Sequence, residues 1–106
     1  MLVLGYPMDP EVVNRIFQKL EIGDFIKTKF SGAERSGKIR EKLTVEEALE
    51  RGKLPESFVE MNNIKKDSIM LVFGKFFVVP FNYSRYDILE IDSKNFDKMD
   101  YPQYFI

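Results

Sequence analysis

The sequence contains no cysteine and no histidine. Without cysteine there can be no disulfide, no thiolate metal ligand and no thiol nucleophile, and such composition is typical of a reducing compartment. Histidine is the usual general base at neutral pH and a common metal ligand, so its absence removes the side chain most often used for proton transfer. The two absences predict a protein that is not an enzyme and that uses no metal or other cofactor.

Long hydrophobic runs are also missing. No apolar segment approaches the roughly 18 residues that a membrane-spanning helix needs, and residues 1–8 lack the basic start and long apolar run of a signal peptide. We therefore expect a cytoplasmic protein without membrane contact. The length of 106 residues, with 44% hydrophobic and 31% charged residues, predicts a single globular domain over residues 1–106.

The stretch that organises the chain consists of two apolar runs, 68–73 and 76–81, separated by Gly74-Lys75. Glycine at the first position of a two-residue loop favours a type II′ turn, so we predict a tight β-hairpin. Both faces of this hairpin are apolar, and each needs a cover from the chain or from a partner. The loop length predicts the pairs Phe73–Phe76, Val72–Phe77, Leu71–Val78 and Met70–Val79.

Two helical segments are predicted outside the hairpin. The first spans residues 9–21, where Asp9-Pro10 suits a helix start and the hairpin is the expected surface for its apolar stripe. The stripe consists of Val12, Val13, Ile16, Phe17 and Leu20. The second is a helical insertion over residues 44–66, in which Thr44-Val45-Glu46-Glu47 fits a capping box.

Strands are predicted over residues 24–43 and 68–91, followed by a C-terminal tail at 93–106. Within the first range we expect a strand at 24–30, a polar glycine-bounded loop at 31–37, and a strand at 38–43. In the last of these, Ile39 and Leu43 share a face with Glu41, which breaks the alternation of apolar and polar residues.

This order of elements resembles an SH3-like small barrel of the Tudor and KOW kind. The matching stretches are Gly23-Asp24-Phe25-Ile26-Lys27, Ser36-Gly37-Lys38-Ile39, the hairpin through Phe81, and Tyr86 to Ile91. The resemblance implies a mainly β (α+β) fold: a small SH3-like antiparallel barrel with an N-terminal helix and a helical insertion between strands. Fold analogy of this kind does not define a function.

Two patterns resemble catalytic motifs but lack essential parts. Residues 32–38 have the glycine and lysine spacing of a phosphate-binding loop, yet Ile39 stands where the magnesium-binding hydroxyl would be. Glu46, Glu47 and Glu50 cluster on one short predicted helix, but no apolar pocket is expected there to raise a pKa, and a solvated surface is the better interpretation. Neither pattern supports an enzyme.

Two binding functions remain as alternatives to simple protein binding. The first is a nucleic-acid interface in the region 27–42, with Phe25 or Phe30 for base stacking. Its basic residues are Lys27, Lys29, Arg35, Lys38, Arg40 and Lys42. The net charge of −1 over the whole chain weighs against it. The second is an aromatic cage for a methylated ligand, formed by Phe76, Phe77, Phe81, Tyr83 and Tyr86.

The preferred hypothesis is a protein-binding module without catalytic activity that occupies a partner surface as an inhibitor, adaptor or subunit. Self-association through the same surface is an equal possibility. If the first helix leaves part of the hairpin uncovered, the contact residues are Phe77, Val79 and Phe81. If the aromatic tail projects instead, they are Tyr101, Tyr104 and Phe105.

Overall fold

A computed structural model describes residues 9–30, 32–80 and 87–97 of the chain. These residues form three helices and five strands. The helices are α1 (Pro10–Lys19), α2 (Val45–Glu50) and α3 (Glu56–Met61). The strands are β1 (Phe25–Phe30), β2 (Ala33–Thr44), β3 (Ile69–Phe73), β4 (Phe76–Val78) and β5 (Asp87–Asp92).

The strands form one antiparallel sheet in the order β4-β3-β2-β1-β5. The prediction of a small, mainly β domain with a few helices is confirmed. The sheet is open in the part of the chain that the structure describes, because β4 and β5 lie at its two ends and do not pair with each other. Closure into an SH3-like barrel therefore stays a prediction.

The hairpin of β3 and β4 has the predicted turn and register. Phe73 pairs with Phe76, and Gly74 has a φ of +59°, which the first position of a type II′ turn requires. The ladder continues through Val72–Phe77 and Leu71–Val78. It stops there, because β4 ends at Val78 and the predicted Met70–Val79 pair is not part of it.

Each face of the hairpin is covered by a different helical layer. On one face α1 buries its apolar stripe against Leu71, Phe73 and Val78. On the other face α2 and α3 pack over Met70, Val72 and Val79. The cover of the second face is therefore the helical insertion.

Helix α1 is attached to the sheet by polar contacts as well as by its apolar stripe. Its residues Val13, Ile16 and Phe17 are fully buried. The Asn14 side-chain oxygen accepts a hydrogen bond of 2.8 Å from the Ile69 backbone N–H in β3. At the other end of the helix, the Lys42 ammonium donates to the backbone carbonyls of Gln18 and Leu20 at 2.7 Å each.

The connection between β1 and β2 differs from the prediction. Phe30 already pairs with Ala33, so only two residues separate the strands and residues 33–37 belong to β2. This half of β2 is held by backbone pairing with β1, and its side chains from Ala33 to Ser36 are exposed. The predicted polar loop is therefore wrong. The sequence did not predict this strand because its exposed side chains lack the alternation of apolar and polar residues that marks a half-buried strand.

The break in alternation around Glu41 corresponds to a β-bulge. The register between β2 and β3 shifts between Ile39 and Glu41, which leaves Arg40 as the extra residue. Ile39 consequently joins the core under α1, whereas Leu43 joins the core under α2 and α3. Ile39 and Leu43 therefore lie on opposite faces, whereas a strand without a bulge would place both on the same face.

The predicted capping box at the start of α2 is confirmed. The Glu47 backbone N–H donates to the Thr44 hydroxyl oxygen, and the Thr44 backbone N–H donates to the Glu47 carboxylate, both at 3.1 Å. The hydrogen bonds from the Thr44 backbone and hydroxyl, together with the Arg51 charge, hold the pKa of Glu47 below its ordinary value. Folding therefore favours the ionised carboxylate.

The lowered pKa of Glu47 predicts a pH-dependent contribution to stability. The contribution is complete above the pKa of an unfolded glutamate, about 4.3, and is lost as the pH falls through the lower folded pKa. We expect Glu47→Gln to have a lower Tm than the native protein at about pH 7. The difference in Tm should be smaller at about pH 3. Thermal melts across this range test it, with Glu50→Gln as the control for one exposed charge removed from the same helix. A Tm difference that stays constant with pH would contradict the prediction.

Candidate functional site

Four large hydrophobic side chains are exposed in the described part of the chain. They are Ile22, Met61, Phe76 and Phe77, with exposed fractions of 66%, 84%, 40% and 43%. The two phenylalanines follow the hairpin turn directly and lie on opposite faces of the sheet, because successive residues of a strand alternate. The hairpin therefore presents an aromatic ring on each side of an end strand.

Phe77 lies on the face covered by the insertion, at its edge. Its ring meets that of Phe58 from α3 edge-on, with 6.3 Å between the centroids and an angle of 84° between the planes. Met61 follows Phe58 by three residues, so it lies on a neighbouring part of the helix surface. We call Phe58, Met61 and Phe77 the Phe77 patch.

The position of the patch follows from local structure. The two-residue turn fixes the face on which Phe77 lies. Helix α3 begins after Pro55 and is anchored by Val59, which is buried in the core under the insertion. With Val59 inward, Phe58 lies half-buried at the rim of this core and Met61 faces water.

Phe76, on the opposite face, is partly covered by Arg35 of β2. The Arg35 guanidinium lies over the Phe76 ring, 4.7 Å from its centroid, in a cation–π arrangement. Arg40, at the bulge, donates from Nε to the Gly74 carbonyl oxygen at 2.9 Å. Both contacts hold the turn against β2. Phe76 and Phe77 point to opposite faces and cannot line one cage, and Phe81, Tyr83 and Tyr86 lie outside the described residues.

Of the six residues predicted to contact a partner, two fall within the described residues. Phe77 is on the surface, as described above. Val79 is only 2% exposed, because it lies under α2 and α3 in the second core. The others, Phe81, Tyr101, Tyr104 and Phe105, are outside the described ranges.

The predicted basic residues lie in several environments. Lys27, Lys29 and Lys38 lie on the face of β1 and β2 opposite α1, next to the half-buried Phe25. Carboxylates alternate with them there: Glu34 lies 3.7 Å from the Lys27 ammonium, and Glu90 and Asp92 of β5 lie opposite Lys27 and Phe25. This face is mixed in charge rather than basic.

The remaining basic residues are engaged in structural contacts. Arg35 lies on the Phe76 ring, Arg40 binds the hairpin turn, and Lys42 caps the C-terminal end of α1. The six basic residues are close together in the sequence, but the sheet places their side chains on two faces and in different contacts.

Helices α2 and α3 carry glutamates and no lysine or arginine, whereas the segments that follow each helix carry the cations of the insertion, Arg51, Lys53, Lys65 and Lys66. Two of these cations pair with carboxylates, Lys53 with Glu41 and Arg51 with Glu47 at 3.8 Å. The hydrogen bond from Lys53 is the main cause that lowers the pKa of Glu41. Four exposed glutamates of α2 and α3 have no ion pair among the described residues: Glu46, Glu50, Glu56 and Glu60.

The motifs considered for catalysis do not form a site in the described ranges. Residues 33–38, which follow Gly32 in the phosphate-loop spacing, are part of β2 and form no loop. Glu46 and Glu50 are exposed on α2, as expected for a solvated helix surface. A separate cleft of about 420 Å³ lies beside the start of α1, lined by residues of both charges that include Asp9, Glu11, Arg15, Lys65 and Asp67.

Searches of the described residues and of known proteins gave no further assignment. Within the described ranges, no three acidic side chains are grouped as a metal ion would require, and no helix has the length and apolar character needed to cross a membrane. Comparisons with protein-family models, curated proteins and solved structures returned no match. Function therefore has to be inferred from the surface itself.

Sequence reasoning identified Phe77 but did not identify its neighbours. Phe58 and Met61 lie in a short helix whose position depends on how the insertion packs, which no local pattern specifies. The available signal was the spacing of Phe58, Val59 and Met61 after Pro55. When Val59 points into the core of a helical segment, Phe58 lies at the edge of that core and Met61 lies outside it.

Proposed function

We propose that this protein is a binding module without catalytic activity, acting as an inhibitor, adaptor or subunit by occupying the surface of a partner protein. The observation that carries the proposal is the exposed Phe77 on an ordered hairpin, in contact with Phe58 and beside Met61. Large apolar side chains held at the surface of a well-packed scaffold are typical of binding hot spots.

The scaffold supports this function because it keeps the patch in place before binding. Phe77 follows a two-residue turn that Arg40 ties to β2, and Phe58 belongs to a helix anchored by Val59. A preorganised patch loses little conformational entropy when a partner binds, which increases affinity for the same contact area.

The finer fold proposed here is the SH3-like barrel with a helical insertion. It is supported by the strand order, because β5 returns to pair with β1 after the β1-to-β4 meander. A sheet whose last strand lies beside its first is arranged for closure if its ends curve together. The bulge at Arg40 supplies a bend in the long strand β2.

The proposed function predicts that Phe77→Ser abolishes or strongly weakens partner binding and leaves the fold intact. Phe77 is 43% exposed, so its loss removes little core packing but much of the contact surface. We expect the partner recovered from the native host to bind the variant at least about tenfold more weakly in calorimetry with purified components. Ile22→Ser, which removes an exposed apolar residue outside the patch, is the matched control. Equal affinity of Phe77→Ser and the native protein would contradict the proposal.

Nucleic-acid binding is the second candidate, and one observation favours it: Phe25 lies among Lys27, Lys29 and Lys38 on the sheet face opposite α1. The alternating carboxylates of Glu34, Glu90 and Asp92 reduce its attraction for phosphate. Retention on heparin that disappears between low and moderate salt, and that is abolished by replacing the three lysines, would favour this candidate over the first.

A further inference from the structure

We propose that the cleft beside the start of α1 binds a small zwitterion of the amino-acid type, with one ammonium group and one carboxylate. The cleft has a volume of about 420 Å³, which lies in the range of roughly 300–1,000 Å³ found for small-molecule sites. Phe58, Met61 and Phe77 are not among the described residues that line it. The proposal is therefore independent of the Phe77 patch.

Two hydrogen-bond donors of the cleft wall have no protein partner among the described residues. Ser68 is only 6% exposed, and no side-chain atom there is both fully enclosed and unbonded, so its hydroxyl opens onto the cleft that Ser68 lines. The Asn14 side-chain oxygen accepts from the neighbouring Ile69 N–H at 2.8 Å, which leaves the Asn14 NH₂ group as a donor of fixed orientation. Buried donors normally have a partner, so this wall suits a ligand oxygen.

The start of α1 adds positive potential to the same cleft. Asp9 is the N-cap residue but its side chain makes no capping hydrogen bond. The proline that follows it has no N–H, so the free backbone donors of the first turn are those of Glu11 and Val12. Arg15 and Lys65 also line the cleft and form no ion pair with a described residue. These groups together suit a carboxylate.

The acidic residues of the cleft determine that the ligand must also carry a positive charge. Asp9, Glu11 and Asp67 line the cleft and form no ion pair with a described residue. Lys66, the exposed neighbour of two lining residues, brings the local cations to three as well. A ligand with a single charge would therefore be attracted by one set of groups and repelled by the other. A zwitterion can place each charge near its opposite.

The test is a titration of the full ¹⁵N-labelled chain with free L-amino acids and dipeptides, one at a time, followed by amide chemical shifts. We expect at least one of them to produce saturable shifts at the amides of Glu11, Val12 and Ser68. The same molecule with its amino group acetylated, or with its carboxylate amidated, should bind at least about tenfold more weakly, because one charge is then missing. Acetate and methylammonium are the probes with a single charge.

Two variants locate the ligand in the cleft. Ser68→Ala should weaken binding about fivefold, the loss expected for one hydrogen bond, and should keep the native Tm because the hydroxyl has no partner in the described protein. Arg15→Gln, at an exposed position, should weaken binding as well. The matched controls are Ser57→Ala and Lys29→Gln, which change an exposed serine and an exposed cation that do not line the cleft.

Three outcomes would overturn the proposal. The first is binding of acetate or methylammonium as strong as that of any amino acid or dipeptide, which would make the cleft a site for a simple ion. The second is the absence of saturable shifts with every amino acid and dipeptide, in which case water alone occupies the cleft. The third is binding that Ser68→Ala and Arg15→Gln leave unchanged. None of them affects the proposed function, which is tested by Phe77→Ser.

Discussion

Replacing Phe73 by alanine is expected to lower the free energy of unfolding by about 3–5 kcal/mol. Phe73 is 1% exposed and lies in the core between β3 and α1, where its ring is among the largest fully buried side chains. The loss combines the transfer free energy of the ring with the cavity that remains. Because a domain of this size is stable by only about 5–15 kcal/mol, the variant should unfold at a much lower urea concentration.

Phe76→Ala is the matched control for this prediction. Phe76 is directly opposite Phe73 in the hairpin and of the same residue type, but it is 40% exposed and contacts Arg35. We expect a loss of about 1 kcal/mol or less, in line with a surface position and an exposed cation–π contact. Similar urea midpoints for the two variants would show that α1 does not cover this face of the hairpin as described.

Lys42→Met is the second substitution for which we expect a large effect, a loss of about 1–3 kcal/mol. The Lys42 ammonium donates to the carbonyls of Gln18 and Leu20, which end α1 and have no partner within the helix. A positive charge at this end also interacts favourably with the helix dipole. Methionine keeps an apolar chain of similar length, so the change isolates the loss of the charge and of the donated hydrogen bonds.

The measurement for Lys42 is hydrogen exchange of the α1 amides together with urea unfolding. Exchange in α1 should become faster than in the β1–β2 ladder, since the substitution loosens the end of that helix first. Lys29→Met is the control, because Lys29 is exposed on the opposite face of the same sheet. Equal effects of the two substitutions would contradict a capping role for Lys42.

The features predictable from sequence were those in which a local pattern specifies its own geometry. A glycine within a two-residue loop determines the register of the Phe73–Phe76 hairpin whatever surrounds it. The capping box of Thr44 and Glu47 likewise depends on residues within one turn. The apolar stripe of α1 was readable because its residues repeat at helical spacing.

The features that were not predictable depend on contacts between distant residues. Residues 33–37 are a strand only because β1 pairs with them, and their exposed side chains carry no apolar pattern. The bulge at Arg40 moves Ile39 and Leu43 to opposite faces, which an uninterrupted period of two cannot describe. The sequence also did not indicate which helical segment covers the second face of the hairpin, because both α1 and the insertion have apolar residues to bury there.

The candidate site was predictable in the same limited way. The exposure of Phe77 follows from its place on a short end strand, but its pairing with Phe58 requires the packing of α3. The basic residues gave a misleading pattern for a related reason. Six cations close together in sequence are distributed over two faces of a sheet and a bulge, and Lys42 serves α1 instead of a ligand.

The two helical layers share a single pair of strands, and this arrangement gives them a thermodynamic connection across the sheet. Leu71 and Phe73 contact the layer of α1 on one side, while Met70 and Val72, their immediate neighbours in the chain, contact the layer of α2 and α3 on the other. A shift of the hairpin backbone caused by one layer therefore changes the packing of the other layer. A partner that binds the Phe77 patch should therefore also slow hydrogen exchange in α1, although that helix lies on the opposite face of the sheet.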